Sequence, residues 1–120
     1  MARILIVDDD EADRVVLCAI LERAGHETFL AEDGEEALST YGGRVIDVVI
    51  TDLEMPRVDG LELITILRDL SPRPAIIAIS GTGVDQLDIA QAVGADWILT
   101  KPIDPIELLS AAAMAVASRD

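Results

Sequence analysis

Two short apolar runs in this chain each end in aspartate. Ile4-Leu5-Ile6-Val7 runs into Asp8-Asp9-Asp10, and Val48-Val49-Ile50-Thr51 runs into Asp52. Runs this short, β-branched and uninterrupted by polar residues read as strands buried on both faces, the signature of a parallel sheet. Parallel strands need crossover connections, and ligands of such sheets gather at the strands' carboxyl ends. The two aspartate clusters are therefore expected at one edge of one sheet. Crowding carboxylates there is unfavourable unless a cation joins them.

The rest of the chain supplies the crossovers. Ala2–Val7 is strand-like, and Glu11–Ala24 carries a helical stripe of Val16, Leu17, Ile20, Leu21 and Ala24, with Gly25 where a C-terminal cap is expected. His26–Leu30 reads as a second strand and Gly34–Tyr41 as a helix ended by Gly42-Gly43. Ile46–Thr51 is a third strand, and Asp52–Gly60 a loop punctuated by Pro56 and Gly60. Leu61–Leu70 is a helix with Leu63, Ile64 and Leu67 inward, closed off by Pro72 and Pro74. Ala75–Ile79, Val84–Val93, Trp97–Thr100 and a helix from about Ile106 to Ala117 complete the pattern. Five βα units predict an α/β fold: a doubly wound, five-stranded parallel sheet, for which the order 2-1-3-4-5 fits and other doubly wound orders stay open. No linker or low-complexity segment interrupts residues 1–120, so a single domain is expected.

Composition narrows the function classes. Nine basic residues stand against 23 acidic ones, a net charge of −14. Such a surface repels nucleic acid and anionic membranes and favours cations and basic partner surfaces. One cysteine, Cys18, excludes an intrachain disulfide, and no apolar run has the length of a membrane span. A cytoplasmic protein is the simplest expectation.

Strands 1 and 3 are neighbours in this topology, so Asp8, Asp9 and Asp52 converge. This all-oxygen inventory suits magnesium, with Asp9 and Asp52 as direct ligands and Asp8 acting through water. His26 and Cys18, each the sole residue of its type, make a zinc site a poor fit. A carboxylate can also act as a nucleophile toward phosphorus, and Asp52 is placed for it. Lys101, the only lysine, ends strand 5, and Ser80-Gly81 ends strand 4, adding a point cation, a hydroxyl and a backbone N–H at the same edge. Each element alone has a plainer reading: Asp10 as a helix N-cap, Ser80-Gly81 as a turn. Their conjunction carries the inference.

Taken together, Ile4–Asp9, Asp33-Gly34-Glu35-Glu36-Ala37-Leu38, Asp52 with Met55-Pro56 and Asp59-Gly60, Ser80-Gly81, Gly94-Ala95-Asp96 and Lys101-Pro102 resemble the receiver domains of two-component response regulators, of the chemotaxis-regulator type. The resemblance spans nearly the whole chain. It implies a flavodoxin-like fold and a phosphorylation-activated switch. Asp52 would be the phosphoacceptor, with Asp8, Asp9 and the Glu54 backbone carbonyl completing a Mg2+ site. Ser80 and Lys101 would engage the phosphoryl group, and the Lys101–Pro102 bond would be cis. The implied donor is a histidine kinase or histidine phosphotransfer protein, and the implied output is a protein target on the helix 4–strand 5–helix 5 face.

Two positions depart from the family pattern. Three residues before the lysine, where the family carries Tyr or Phe, stands Ile98. Trp97 is one position earlier, turned to the opposite face by strand alternation. Ile103 replaces a Phe common after Lys-Pro. Glu54 adds an acid beside the site, read either as a solvated side chain or as a group acting on metal-bound water or on anionic donors. Trp97 is read as a cover over the sheet edge, or as a partner anchor; Tyr41, Phe29 and Cys18 as packing; and His26 as a strand-edge residue. Two other functions compete: an aspartyl-phosphate hydrolase of phosphomonoesters, with Glu54 as acid/base, and a receiver-like adaptor that is never phosphorylated. The chain is either a stand-alone receiver or the receiver portion of a longer regulator.

Overall fold

The apolar runs pair as expected. In a computed structural model, which describes residues 2–54, 59–81 and 84–119, the strands form one parallel sheet in the order β2-β1-β3-β4-β5. The strands are β1 (Arg3–Val7), β2 (Glu27–Ala31), β3 (Val48–Asp52), β4 (Ala75–Ser80) and β5 (Trp97–Thr100). The helices are α1 (Glu11–Arg23), α2 (Gly34–Tyr41), α3 (Gly60–Arg68), α4 (Val84–Val93) and α5 (Pro105–Arg119). The Met55-Pro56 pair lies outside the described residues.

Strand alternation divides the core into two layers. Leu5, Val7, Val49, Ile76 and Ala78 face α2, α3 and α4, meeting Ala37, Leu63, Ile64, Leu67 and Ala90. Ile4, Ile6, Val48, Ile50, Ile77 and Ile79 face α1 and α5, meeting Leu17, Leu21, Leu108, Ala112 and Ala115. The central strands β1, β3 and β4 are thus buried on both sides, which is why their sequences show continuous apolar runs rather than alternation. Phe29 and Tyr41 pack against the first layer and Cys18 against the second, as anticipated. Among the described residues no helix is long and apolar enough to cross a membrane.

Short acidic caps start α1, α2, α3 and α5. Asp10 accepts hydrogen bonds from the Ala12 and Asp13 backbone N–H groups, Asp33 from Glu36, Asp59 from Glu62 and Asp104 from Ile106. Element ends shift by one or two residues from expectation, with identifiable causes. Gly25, at φ 95°, lets the Gly25 N–H reach the Glu22 carbonyl and the His26 N–H reach the Leu21 carbonyl. This Schellman closure spends the His26 amide on α1, so β2 begins at Glu27 and His26 is not part of the strand. Its Nδ1 instead accepts from the Ala2 N–H at 3.2 Å. The third strand starts later than Ile46 because the Asp47 carboxylate and amide are bonded to the Arg3 backbone; it extends through Asp52, which is strand rather than loop.

Candidate functional site

Every strand except β2 delivers a polar group to the carboxyl edge of the sheet. Asp8 follows β1, Asp52 is the last residue of β3, Ser80 the last of β4, and Lys101 follows β5. Their heights are fixed by backbone pairing: Val7 is in register with Thr51, Asp52 with Ile79, and Ser80 with Thr100. The Asp8, Leu53 and Lys101 amides continue the ladders onto the Ala31, Ile79 and Ser80 carbonyls. The functional side chains therefore stand on a rigid base.

Asp8, Asp52 and Ser80 are almost completely buried, at 1%, 5% and 1% exposure, whereas Asp9 is exposed. The three aspartates nonetheless bring one carboxylate oxygen each within 4.8 Å of one another. An all-carboxylate donor set at this spacing fits a hard divalent cation of the magnesium type.

Lys101 is the cation on the other side of the group. Its Nζ lies 3.0 Å from Asp52 Oδ2, 3.4 Å from Asp8 Oδ2 and 2.9 Å from Asp13 Oδ2. Burial works against its charge. The hydrogen bonds from Asp13 and Asp52 and the fields of Asp52 and Asp8 outweigh that, holding the ammonium above its ordinary titration range. Asp8 shows the opposite balance: burial, with the neighbouring Asp52 charge, pushes its carboxyl up to about 6, against the lowering effect of the Asp10 N–H bond and Lys101.

The expected site residues thus meet, and two features were not anticipated. Asp13, the fifth acid of the stretch Asp8–Asp13, turns inward from the first turn of α1 to pair with Lys101. Its signal in the sequence was only its place at the start of the first helix, above the strand ends. The second concerns Glu54, whose side chain is not simply solvated: it accepts a 2.9 Å hydrogen bond from the Ser80 hydroxyl, while its backbone N–H donates to Asp52 Oδ1 at 3.1 Å. The Lys101–Pro102 peptide bond is cis. Ile98 is half-buried against the α2–α4 layer, and Trp97 packs against the α1–α5 layer, so the two occupy opposite faces of β5.

The comparisons with known proteins agree with this architecture. Residues 4–113 match the family of response regulator receiver domains, and the chain belongs to that family. Over 109 residues it is 36% identical to the regulator of RpoS of Escherichia coli, covering 89% of this chain and 32% of that protein. The chain spans about a third of that relative's length. A receiver domain from Clostridium thermocellum superposes with a TM-score of 0.91 at 31% identity, over 99% of this chain and 97% of the other. A chemotaxis response regulator of Vibrio cholerae gives 0.87 at 33%, over 96% and 98%. Receiver domains are signalling switches of two-component systems that bind Mg2+ at an acidic pocket, and the Asp8–Asp9–Asp52 group is a cluster that could hold such an ion.

Proposed function

We propose that residues 1–120 act as one cytoplasmic receiver unit that takes a phosphoryl group on Asp52 and thereby changes a protein-binding surface. The observation that carries this reading is the Lys101 ammonium held 3.0 Å from a nearly buried Asp52, beside an aspartate cluster able to hold a divalent cation. Asp8, Asp9, Asp52 and the Glu54 backbone carbonyl would hold Mg2+. Bound there, the metal offsets the negative charge of the incoming phosphoryl group.

The donor is a phosphohistidine on a histidine kinase or a histidine phosphotransfer protein. An Asp52 carboxylate oxygen attacks phosphorus, an O–P bond forms, and the P–N bond breaks with its electron pair left on the donor imidazole. Lys101 balances charge on the transferred group. Ser80 leaves Glu54 and donates to a phosphoryl oxygen. Water later attacks phosphorus and returns Asp52 to a carboxylate. The only chemistry is therefore the domain's own phosphorylation and dephosphorylation.

The output follows from the added charge of about −1.5 to −2, which biases a two-state arrangement of Ser80 and the neighbouring loops. Half-buried Ile98, beneath α4, relays it as an aliphatic side chain where relatives use an aromatic. The β5 edge, flanked by α4 and α5, offers the partner surface; Ile89 of α4 and Met114 of α5 are exposed. With a net charge of −14, the domain contacts protein rather than nucleic acid or membrane.

Phosphopeptide mapping after incubation with a phosphohistidine donor and Mg2+ tests the reading. Label at Asp52 supports it; label elsewhere, or none with any donor, overturns it in favour of an adaptor that works without phosphate. Multiple-turnover hydrolysis of phosphomonoesters would instead mark a hydrolase.

A further inference from the structure

We infer that Asp13 is a positioning residue for phosphotransfer: its carboxylate holds the Lys101 ammonium over Asp52, so that the incoming phosphoryl group meets a cation already in place. The inference rests on the reading of Asp52 as phosphoacceptor and adds a residue to that machinery.

Three carboxylates share one ammonium, and Asp13 makes the shortest contact, at 2.9 Å against 3.0 Å for Asp52 and 3.4 Å for Asp8. The other two belong to the cluster suited to a divalent cation, so a metal and Lys101 draw on the same two carboxylates. Asp13 lies outside that cluster, and its hold on Lys101 survives when the metal arrives. An ammonium has three donors. With one on Asp13, two remain for Asp52 and a phosphoryl oxygen.

Lysine also needs such a restraint. Its four-carbon stem is flexible and its ammonium strongly hydrated. The Lys101 side chain keeps 26% of its surface exposed, enough to swing into solvent. Asp13 is a fixed post: it sits in the first turn of α1, where its own backbone N–H is tied to the Asp10 cap. Together with Lys101 it borders a groove of about 550 Å³ whose other walls include Val16, Leu17, Pro102 and Ile103.

Two measurements test this. Because Lys101 is the only lysine, protein labelled with 15N at the lysine side chain gives a single ammonium signal, whose proton exchange with water reports how firmly it is held. Exchange should be slow in the wild type and clearly faster in Asp13→Ala; Asp13→Asn, which keeps an oxygen acceptor and the fold, should fall between. The second readout is the saturating rate of phosphorylation by phosphoramidate with Mg2+. Asp13→Ala should lower it about two- to fivefold, the factor a partly exposed ion pair supplies, with half-saturation unchanged. In a Lys101→Ala background the same substitution should have no further effect, because the two residues act as one unit.

Wild-type exchange in Asp13→Ala overturns the inference, as does an equal loss of rate with and without Lys101, which would mark a merely structural role. If wild-type Asp52 takes no phosphate, the reading of the site falls, and the ammonium exchange still decides whether Asp13 holds Lys101.

Discussion

The Ser80 hydroxyl donates a 2.9 Å hydrogen bond to the Glu54 carboxylate, and the Glu54 amide donates to Asp52 Oδ1. One residue therefore ties the hydroxyl of β4 to the carboxylate of β3. For Ser80 to reach a phosphoryl group on Asp52 it must give up Glu54, so Glu54 opposes the switched state.

Glu54→Ala removes that competitor together with a negative charge beside the phosphoryl group. We expect the acyl phosphate to persist about two- to fivefold longer, the scale of one hydrogen bond of ordinary net strength. Following the loss of label from phosphorylated Asp52 in the two proteins checks this. Equal decay rates would mean that the Ser80–Glu54 bond has no bearing on the switch.

Gly60 is required by close approach. A Cβ there would stand 2.4 Å from the Asp52 carbonyl oxygen and 2.5 Å from the Leu53 Cα, both backbone atoms that cannot step aside. Gly60→Ala should cost about 1–3 kcal/mol, the usual range for overpacking, measured by urea unfolding. Because the displaced backbone belongs to Asp52, phosphorylation should slow as well. An alanine variant of wild-type stability would contradict the packing at this position.

The Asp8 carboxyl links metal binding to pH. Its value is raised in the folded state from 3.8 to about 6, with burial the main cause. A raised carboxyl favours the folded state while protonated. That contribution is complete below about pH 4 and lost as pH rises through about 6. A cation must displace the same proton, so the rise in melting temperature produced by Mg2+ should be several degrees at pH 7.5 and fade toward pH 5. In Asp8→Asn the pH dependence should disappear. Melting curves at fixed Mg2+ across this range provide the check, and a shift independent of pH would remove Asp8 from the site.

Asp96, at the far end of β5 from Lys101, accepts from the Ile76 amide at 2.9 Å and from Arg73 Nη2 at 2.6 Å. Asp96→Ala leaves a part-buried amide without this partner and should cost about 1–3 kcal/mol. Phosphotransfer by the folded fraction should be unchanged, separating this structural acid from those at the site. A rate defect at full occupancy of the folded state would argue otherwise.

The fold was legible because burial on both faces forces continuous β-branched runs at β1, β3 and β4, and because glycine, proline and aspartate punctuate the helices. The order 2-1-3-4-5 then brings Asp8, Asp52, Ser80 and Lys101 to one edge. What escaped the sequence depends on side-chain direction and close contact. Asp13 looks like one more acid of a helix start until α1 is oriented over β5. Glu54 could not be paired with Ser80 before the strand ends were placed. Gly60 reads as loop punctuation until its distance to the Asp52 backbone is known. The start of β2 was missed because the helix closure at Gly25 claims the His26 amide.

The central claim is that Asp52 receives the phosphoryl group with help from a divalent cation. The most direct test is transfer from a phosphorylated histidine donor to the wild type and to Asp52→Asn, each with Mg2+ and with the metal chelated. The account predicts rapid transfer only to the wild type with Mg2+. Undiminished labelling of Asp52→Asn, or transfer indifferent to the metal, would contradict it.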